Sequence, residues 1–286
     1  ASGKWIELEN PPAIISPDPA HHGLISKGEI IYIDAVFPVM HGDFCEDGCI
    51  QGLFELAGIP YVGPGVLASS AAMDKSATKL FAASAGVPQA DWLLLNAPFE
   101  PSMIKAVEEK FEYPVFIKPC NAGSSLGVSK ATKSAELEAA IKEASKVDNK
   151  ILCEEFINGR EVECSVLGNL DPKASTVGEI VSSNEFYDYN AKYIDNASIL
   201  NIPASIPAET IEAIQKYAVK IYKALGCRGL SRVDFFVHKE TGKIYFNEIN
   251  TLPGFTAISM YPKLWEHDGI PYSSLIDKLI ELALNN

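Results

Sequence analysis

Hydrophobic and polar positions in the first part of the chain follow strand-like and helix-like patterns in turn. Residues 30–39 are rich in Ile and Val, which predicts a strand buried on both faces. A helix is predicted over 49–57, ended by Gly58, and a short strand over 59–62. Strand, helix and strand in succession predict a βαβ unit with a parallel sheet.

The rest of the chain continues the mixture of helices and strands. Apolar spacing predicts helices over 68–85, 209–225 and 273–284, and one capped by Ser134. Strands are predicted over 113–118, 151–156 and 161–167, the last two joined by a turn at Asn158 and Gly159. Residues 182–201 carry aromatic rings without a period, which predicts a long lid or binding loop. The fold class is therefore α/β, with a first domain boundary expected near Met73.

Two strand segments, 233–237 and 243–250, flank a loop that ends at Gly242. A three-residue hairpin loop would pair Asp234 with Glu248 and Arg232 with Asn250, all on one sheet face. Directly opposed carboxylates repel unless a cation lies between them. Oxygen donors without His or Cys favour Mg²⁺ or Mn²⁺. The alternative is a solvated sheet face.

A lysine at the end of a strand precedes a loop of small residues. Lys118 is followed by the segment 123–127, Gly-Ser-Ser-Leu-Gly, whose glycines free the backbone N–H groups to bind an anion. The spacing is not that of a Walker loop. The sequence predicts a phosphate site here, and the alternative is an ordinary hairpin loop with a lysine reaching into solvent.

Two further segments have polar groups suited to a nucleotide. The strand edge at 152–157 can hold an adenine ring, with Glu161 placed for ribose hydroxyls; the alternative is a surface hairpin with solvated glutamates. Lys192 lies in the predicted loop and would bring positive charge to a phosphate when the loop closes. The alternative for that loop is a surface excursion whose rings pack locally.

Composition and charge narrow the class of protein. The chain has 286 residues, 47% hydrophobic and 21% charged, as in folded globular proteins. A net charge of −13 argues against nucleic acid or an anionic membrane as partner, and no apolar run reaches the about 18 residues of a membrane span. No secretory signal is visible, and the six cysteines are expected to be reduced, as in a cytoplasmic protein.

Two other patterns suggest a zinc site and a dinucleotide site, and both are weakly supported. His41, Cys45 and Cys49 suggest zinc, but no second cysteine pair accompanies them. The segment 63–68, Gly-Pro-Gly-Val-Leu-Ala, resembles a dinucleotide-binding turn. It lacks the acidic residue about 20 positions later, which makes a Rossmann oxidoreductase the weakest reading.

Taken together, the motifs resemble those of D-alanine–D-alanine ligases of the ATP-grasp superfamily, and the similarity covers nearly the whole chain. The matching stretches are His41-Gly42, Glu46-Asp47-Gly48, Gln51-Gly52, Met73-Asp74-Lys75, Lys118-Pro119, the segments 123–127 and 187–193, Arg232-Val233-Asp234 and the segment 248–256. The resemblance implies ATP-dependent formation of D-alanyl-D-alanine through an acylphosphate, for peptidoglycan precursors. It also implies that 1–73 belongs to a substrate domain, 74–161 to a central ATP-grasp subdomain and 162–286 to a catalytic ATP-grasp domain.

The resemblance also assigns roles to individual residues. ATP phosphates would be held by Lys75 and Lys118, adenine by Glu154, Glu155, Phe156 and Ile157, and ribose by Glu161. Two Mg²⁺ or Mn²⁺ ions would be held by Asp234, Glu248 and Asn250. An oxyanion hole would be formed by Arg232 and the N–H of Gly254, and a hydrogen-bonded lid link by Ser124 and Tyr193. The two substrates would be held by His41 for the first D-alanine and by Ser259, Met260 and Lys192 for the second.

The family begins with a strand and a glycine-rich loop whose glutamate binds the first D-alanine, and the sequence given contains no match to that segment. We expect a protein made only of these residues to be impaired. Two alternatives stay open: a ligase of the vancomycin-resistance type that uses D-serine or D-lactate, and a non-catalytic ATP-binding module. The apolar Met260 favours D-alanine. A homodimer is compatible with the resemblance.

Overall fold

The computed structural model describes residues 4–6, 12–123, 126–181 and 199–285. Within these ranges it has eight helices and thirteen strands. The strands are β1 (Lys4–Ile6), β2 (Pro12–Ile15), β3 (Gly23–Ser26), β4 (Glu29–Tyr32), β5 (Trp92–Asn96), β6 (Val115–Pro119), β7 (Ser129–Ala131), β8 (Lys150–Glu155), β9 (Gly159–Leu167), β10 (Lys173–Val181), β11 (Ile199–Asn201), β12 (Leu230–His238) and β13 (Ile244–Asn250). The helices are α1 (Cys49–Ala57), α2 (Val66–Met73), α3 (Lys75–Ser84), α4 (Pro101–Lys110), α5 (Ser134–Ala144), α6 (Ala208–Ala224), α7 (Met260–His267) and α8 (Tyr272–Leu284).

The strands form three sheets in which neighbours pair antiparallel. Their orders are β1-β2-β3-β4, β5-β8-β6-β7 and β11-β10-β9-β12-β13. Helices cover these sheets, so the α/β class with mixed elements is confirmed. No helix of the described ranges is both long and apolar enough to cross a membrane.

The strand expected over 30–39 and its parallel sheet need correction. Lys27 and Gly28 both have positive φ, 52° and 81°, and form a two-residue turn from β3 into β4. β4 is consequently a short edge strand with largely exposed side chains, not a strand buried on both faces. Parallel pairing in this region of the described chain is limited to a bridge between Val36 and Tyr61. The prediction missed the turn because lysine rarely adopts positive φ.

The single helix expected over 68–85 is divided in two at Asp74. Asp74 has an extended backbone, and its Oδ1 accepts hydrogen bonds from the N–H groups of Ser76 at 3.0 Å and Ala77 at 3.2 Å. These bonds cap a new helix, α3, and place Lys75 at its first position. The helix over 134–144 forms with the expected buried face, but its cap position is Lys133 and Ser134 is its first residue.

The hairpin expected between 151–156 and 161–167 does not form. β8 pairs with β5 and β6, whereas β9 lies between β10 and β12 in another sheet. The chain changes sheets at Gly159, which pairs with His238. A Cβ on Gly159 would lie 2.9 Å from Cβ of Phe236, so the absence of a side chain permits this close approach.

Two cores hold the five-stranded sheet and the sheet β5-β8-β6-β7 in place. The amphipathic helix α6 buries Ile214, Ala218, Ile221 and Tyr222 in the cluster that covers the five-stranded sheet. Helix α5 buries Leu137 and Ile141 in the cluster on the sheet β5-β8-β6-β7. Lys118 of β6 reaches Asn247 of β13, so the ends of the two sheets meet at a shared group of polar residues.

Candidate active site

The hairpin β12-β13 has the register that the sequence predicts for its carboxylates. Asp234 lies opposite Glu248 and Arg232 opposite Asn250. The loop, however, is one residue longer than expected, because His238 pairs with Lys243. A bulge at Asn247 compensates, since Phe235 pairs with Phe246 and Asp234 with Glu248. Gly242 has φ +66°, the left-handed conformation that was predicted.

The carboxylate of Asp234 is bound by Arg232 in a bidentate ion pair. Nε of Arg232 donates to Oδ1 of Asp234 at 2.8 Å, and Nη2 donates to Oδ2 at 2.7 Å. Glu163 on the neighbouring strand β9 lies opposite Asp234, with its Oε2 3.1 Å from Nε of Arg232. Burial alone would lower the pKa of Arg232, but these two carboxylates raise it well above its usual value.

A second cluster joins α3 to the sheet β5-β8-β6-β7. Glu154 is buried, and its Oε2 lies 2.5 Å from Nζ of Lys118, while its Oε1 pairs with Nζ of Lys79. Burial favours the protonated acid, but the two ammonium groups outweigh it and lower the pKa of Glu154 to about 2. The same carboxylate raises the pKa of Lys118 against the opposing effect of burial.

Lys75 lies one helical turn before Lys79 and is held at the same cluster. Its Nζ donates to the carbonyl oxygen of Ala122 at 2.6 Å, next to the glycine-containing loop after β6. Burial lowers the pKa of Lys75, and the charge of Glu248 opposes that shift. Gly127 ends this loop with φ +70°, where a Cβ would lie 2.8 Å from Cγ of Pro119.

The two clusters meet at a small cavity with room for one water-sized group, about 30 Å³. Two of its polar residues lie on β9, two lie on β13, and one lies on β12 between these strands. The polar residues that line it are Glu161, Glu163, Asp234, Asn247 and Glu248. Oδ1 of Asn247 lies 3.4 Å from Nζ of Lys118, which connects the cavity to the lysines.

Glu46 and His41 lie within electrostatic range of Arg232. The N–H of Gly42 donates to Oε2 of Glu46 at 2.6 Å. Burial and then the charge of Glu248 raise the pKa of Glu46 to about 7, against the opposing bond from Gly42. Burial and the positive charge of Arg232 lower the pKa of His41. His41, expected at the first D-alanine, thus lies where the charge of Arg232 acts on it.

The loop after β13 brings Gly254 against Ser259. A Cβ on Gly254 would lie 2.7 Å from Oγ of Ser259, which also accepts the N–H of Thr256 at 3.0 Å. Ser259 occupies the cap position of α7, and Met260, at 5% exposure, is its first residue. The sulfur of Met260 packs on Gly178 of β10, where a Cβ would lie 2.6 Å from it.

Some predicted residues are placed differently or are not described. Glu155 directs its side chain to the N–H of Asp91 at 2.8 Å, and its own N–H donates to the carbonyl oxygen of Asp91 at 3.1 Å. Phe156 is 38% exposed, with Nζ of Lys130 4.6 Å from its ring centre, and Ile157 follows it. Ser124, Lys192 and Tyr193 and the loop segment 182–198 lie outside the described residues.

The sequence reasoning gave no role to four residues of these clusters: Glu46, Lys79, Asn247 and Glu163. Glu163 shares the alternation of Glu161, so period two along β9 would have placed both on one face. Lys79 follows Lys75 at helical spacing. Asn247 could not be anticipated, because a bulge turns it toward the cavity.

The donor set around the hairpin fits a hard cation, since Asp234, Glu248 and Asn250 offer only oxygen ligands. Asn250 Oδ1 accepts the N–H of Leu252 at 3.0 Å. Within the described residues, no group of three His, Cys, Asp or Glu side chains is arranged to hold a metal by itself. Zinc at His41, Cys45 and Cys49 has no such support, and both cysteines are free thiols.

Two sheets that meet at buried lysines and opposed carboxylates place the chain in the ATP-grasp class. Matches to family models identify the family within this class. The model described as D-ala D-ala ligase C-terminus matches residues 81–281, and that described as D-ala D-ala ligase N-terminus matches 17–64. The chain belongs to the D-alanine–D-alanine ligase family.

Individual relatives agree with this membership. A D-alanine–D-alanine ligase of Acetivibrio thermocellus is 63% identical over 256 residues, which cover 88% of this chain and 68% of that protein. A ligase of the same name from a Thermoanaerobacter species is 50% identical over 293 residues, covering 100% and 81%. Among solved structures, the VanG D-Ala:D-Ser ligase of Enterococcus faecalis has a TM-score of 0.88 at 44% identity, covering 95% of this chain and 79% of that one. D-alanyl-alanine synthetase A of Vibrio cholerae has a TM-score of 0.89 at 33% identity, covering 99% and 85%.

Proposed function

We propose that the protein joins two molecules of D-alanine with the energy of ATP and so supplies D-alanyl-D-alanine for peptidoglycan precursors. The observation that carries the proposal is the meeting of buried lysines with the opposed pair Asp234 and Glu248. Relatives of 50% to 63% identity that are named D-alanine–D-alanine ligases support the choice of substrate.

The proposed reaction has two steps. A carboxylate oxygen of the first D-alanine attacks the γ-phosphorus of ATP, and the bond to the ADP oxygen breaks, which leaves an acylphosphate. The amine lone pair of the second D-alanine attacks the carbonyl carbon of that acylphosphate. The tetrahedral intermediate expels phosphate, the ammonium proton passes to solvent, and a peptide bond remains. Such chemistry depends on positioning and on stabilising negative charge.

The nucleotide end of the site is proposed to lie between the five-stranded sheet and the sheet β5-β8-β6-β7. Lys75 and Lys118 hold phosphate oxygens, because both side chains are partly buried at the polar cluster beside the glycine-containing loop. The backbone of 154–157 and the exposed ring of Phe156 receive the adenine. Glu161, which lines the cavity, accepts ribose hydroxyls.

Divalent cations are proposed at the hairpin. Asp234, Glu248 and Asn250 would hold two Mg²⁺ or Mn²⁺ ions, with phosphate oxygens among the remaining ligands. When bound, the cations neutralise phosphate charge. The ion pair of Arg232 with Asp234 places a permanent positive charge at the same face.

The amino-acid end is proposed to lie around Arg232. Its guanidinium and the N–H of Gly254 stabilise the oxyanion of the tetrahedral intermediate. His41 lies beside the first D-alanine, and Ser259 with the N–H of Met260 binds the carboxylate of the second. The lid link of Ser124 with Tyr193 and the contribution of Lys192 stay predictions, as these residues are not described.

The test is phosphate release from ATP with a panel of D- and L-amino acids, followed by mass spectrometry of the products. We expect release that depends on D-alanine, together with the mass of the dipeptide. ATP binding without amino-acid-dependent turnover would instead support the non-catalytic module.

D-Serine is the second candidate for the attacking substrate, because the VanG D-Ala:D-Ser ligase is similar to this chain at 44% identity. The apolar, buried Met260 offers no hydrogen bond to a serine hydroxyl, at a cost of about 1–3 kcal/mol. Competition between D-alanine and D-serine at equal concentration distinguishes the two. A majority of D-alanyl-D-serine would refute the preference for D-alanine.

The cellular location and the partners of the enzyme are inferred from its substrates. Because ATP is available inside the cell, we propose a cytoplasmic enzyme of small molecules, without nucleic-acid or membrane partners. The homodimer and the division into 1–73, 74–161 and 162–286 stay proposals. The lid loop expected over 182–201 stays a proposal for 182–198, because 199–201 form β11. Gel filtration and limited proteolysis test them.

A further inference from the structure

A buried ammonium group in the lysine cluster has no role in the proposed reaction. The side chain of Lys79 is 2% exposed and pairs with Oε1 of Glu154, whereas Lys118 pairs with Oε2. Lys79 follows Lys75 by one turn on α3, so both side chains leave the helix on the same side. Glu154 is consequently held between two cations that come from different elements.

The two cations of Glu154 differ in what else they can reach. Lys118 is 16% exposed and also contacts Asn247 at the cavity, so a ligand in the site can approach its ammonium group. Lys79 is closed off from solvent on the opposite side of the carboxylate. Of the two, only Lys118 is placed to exchange partners.

Lys118 can exchange Glu154 for a phosphate only if Glu154 keeps another counter-ion. A buried carboxylate that loses its one cation is strongly destabilised, so Glu154 alone with Lys118 would hold that lysine back from a phosphate. With Lys79 on the other oxygen, Glu154 keeps a counter-ion whichever partner Lys118 has.

We propose that Lys79 is a positioning residue that serves as the permanent counter-ion of Glu154 and thereby leaves Lys118 available to bind nucleotide phosphate. The inference rests on the proposed function, because that function makes Lys118 a phosphate ligand. Lys79 itself does not contact the nucleotide.

The experiment measures the Kd of ATP by calorimetry, with magnesium chloride and without D-alanine, for the wild type, K79M, E154Q and K79M/E154Q. We expect K79M to raise Kd by about tenfold or more, since Lys118 becomes the one remaining ion-pair partner of Glu154 among the described residues. In the E154Q background no carboxylate competes with phosphate for Lys118, so adding K79M should change Kd by less than about twofold. K150M is the matched control: Lys150 pairs with Asp74 at the start of α3, is 37% exposed, and its loss should leave Kd unchanged.

The outcomes separate the possibilities. A folded K79M with wild-type Kd would overturn the proposal, as would a further loss of affinity in the double variant, which would make Lys79 a direct ligand. If K79M does not fold, the comparison of E154Q with K79M/E154Q decides alone, since neither holds an unpaired carboxylate. A wild type that binds no ATP would overturn the proposed function and this inference together.

Discussion

Glu46 provides a test of the site's electrostatics through protein stability. Its carboxyl group is partly buried, beside the charge of Glu248, and its pKa is raised from 4.5 to about 7. Between these values the folded protein binds a proton that the unfolded chain has released. The free energy of unfolding therefore falls as pH rises, and the stabilisation present below pH 4.5 is lost through about pH 7.

The size of the effect follows from the shift. A difference from 4.5 to about 7, at about 1.4 kcal/mol per pH unit, corresponds to about 3 kcal/mol lost across the window. Glu46→Gln keeps an oxygen that can accept the N–H of Gly42 but cannot ionise. The variant should thus gain about 3 kcal/mol relative to the wild type between pH 4.5 and pH 7.5.

The assay is urea unfolding at several pH values, followed by tryptophan fluorescence, with EDTA present so that no cation screens Glu248. Glu266→Gln, at an exposed position of α7, serves as the control and should run parallel to the wild type. A constant difference between Glu46→Gln and the wild type over the whole window would refute the argument that burial raises this pKa.

Three further results are expected. Asp234→Asn should lower kcat by about 100-fold or more and cost about 3 kcal/mol in unfolding free energy, because Arg232 loses its bidentate carboxylate partner at a largely buried position; a fully active variant would remove the metal assignment. EDTA should abolish turnover but leave the melting temperature nearly unchanged, since Arg232 neutralises Asp234 without a cation. A large fall in melting temperature would show that the cation stabilises the folded protein. Gly178→Ala should change unfolding free energy by less than about 1 kcal/mol, as overpacking and reduced chain entropy oppose each other. By displacing Met260 it should alter the D-alanine to D-serine product ratio, and an unchanged ratio would exclude Met260 from the pocket.

The parts of the fold that local chemistry determines could be predicted from the sequence. The helix over 49–57 and the hairpin β12-β13 depend on nearby periodicity and turn glycines, and both form. The division at Asp74 was missed because the capping bonds of an aspartate do not interrupt an apolar helical pattern. The separation of β8 from β9 depends on pairing with distant strands, which periodicity does not contain.

In the candidate site, too, local patterns could be predicted from the sequence and long-range contacts could not. Lys118, Glu154, Asp234 and Glu248 were found because each lies in a short pattern with chemical meaning. That Lys118 and Glu154 form an ion pair depends on the pairing of β6 with β8 and could not be read from either segment.

The bulge in β13 has a consequence for how closely one strand can space its polar groups. Along a regular strand, side chains on one face recur about every 6.8 Å. That interval is wider than the reach of a single hydrogen bond. The extra residue brings the successive side chains of Asn247 and Glu248 to one cavity, so this edge strand contacts Lys118 of the other sheet and still faces Asp234 of its own. Without that extra residue, the strand would have to give up one of these two contacts.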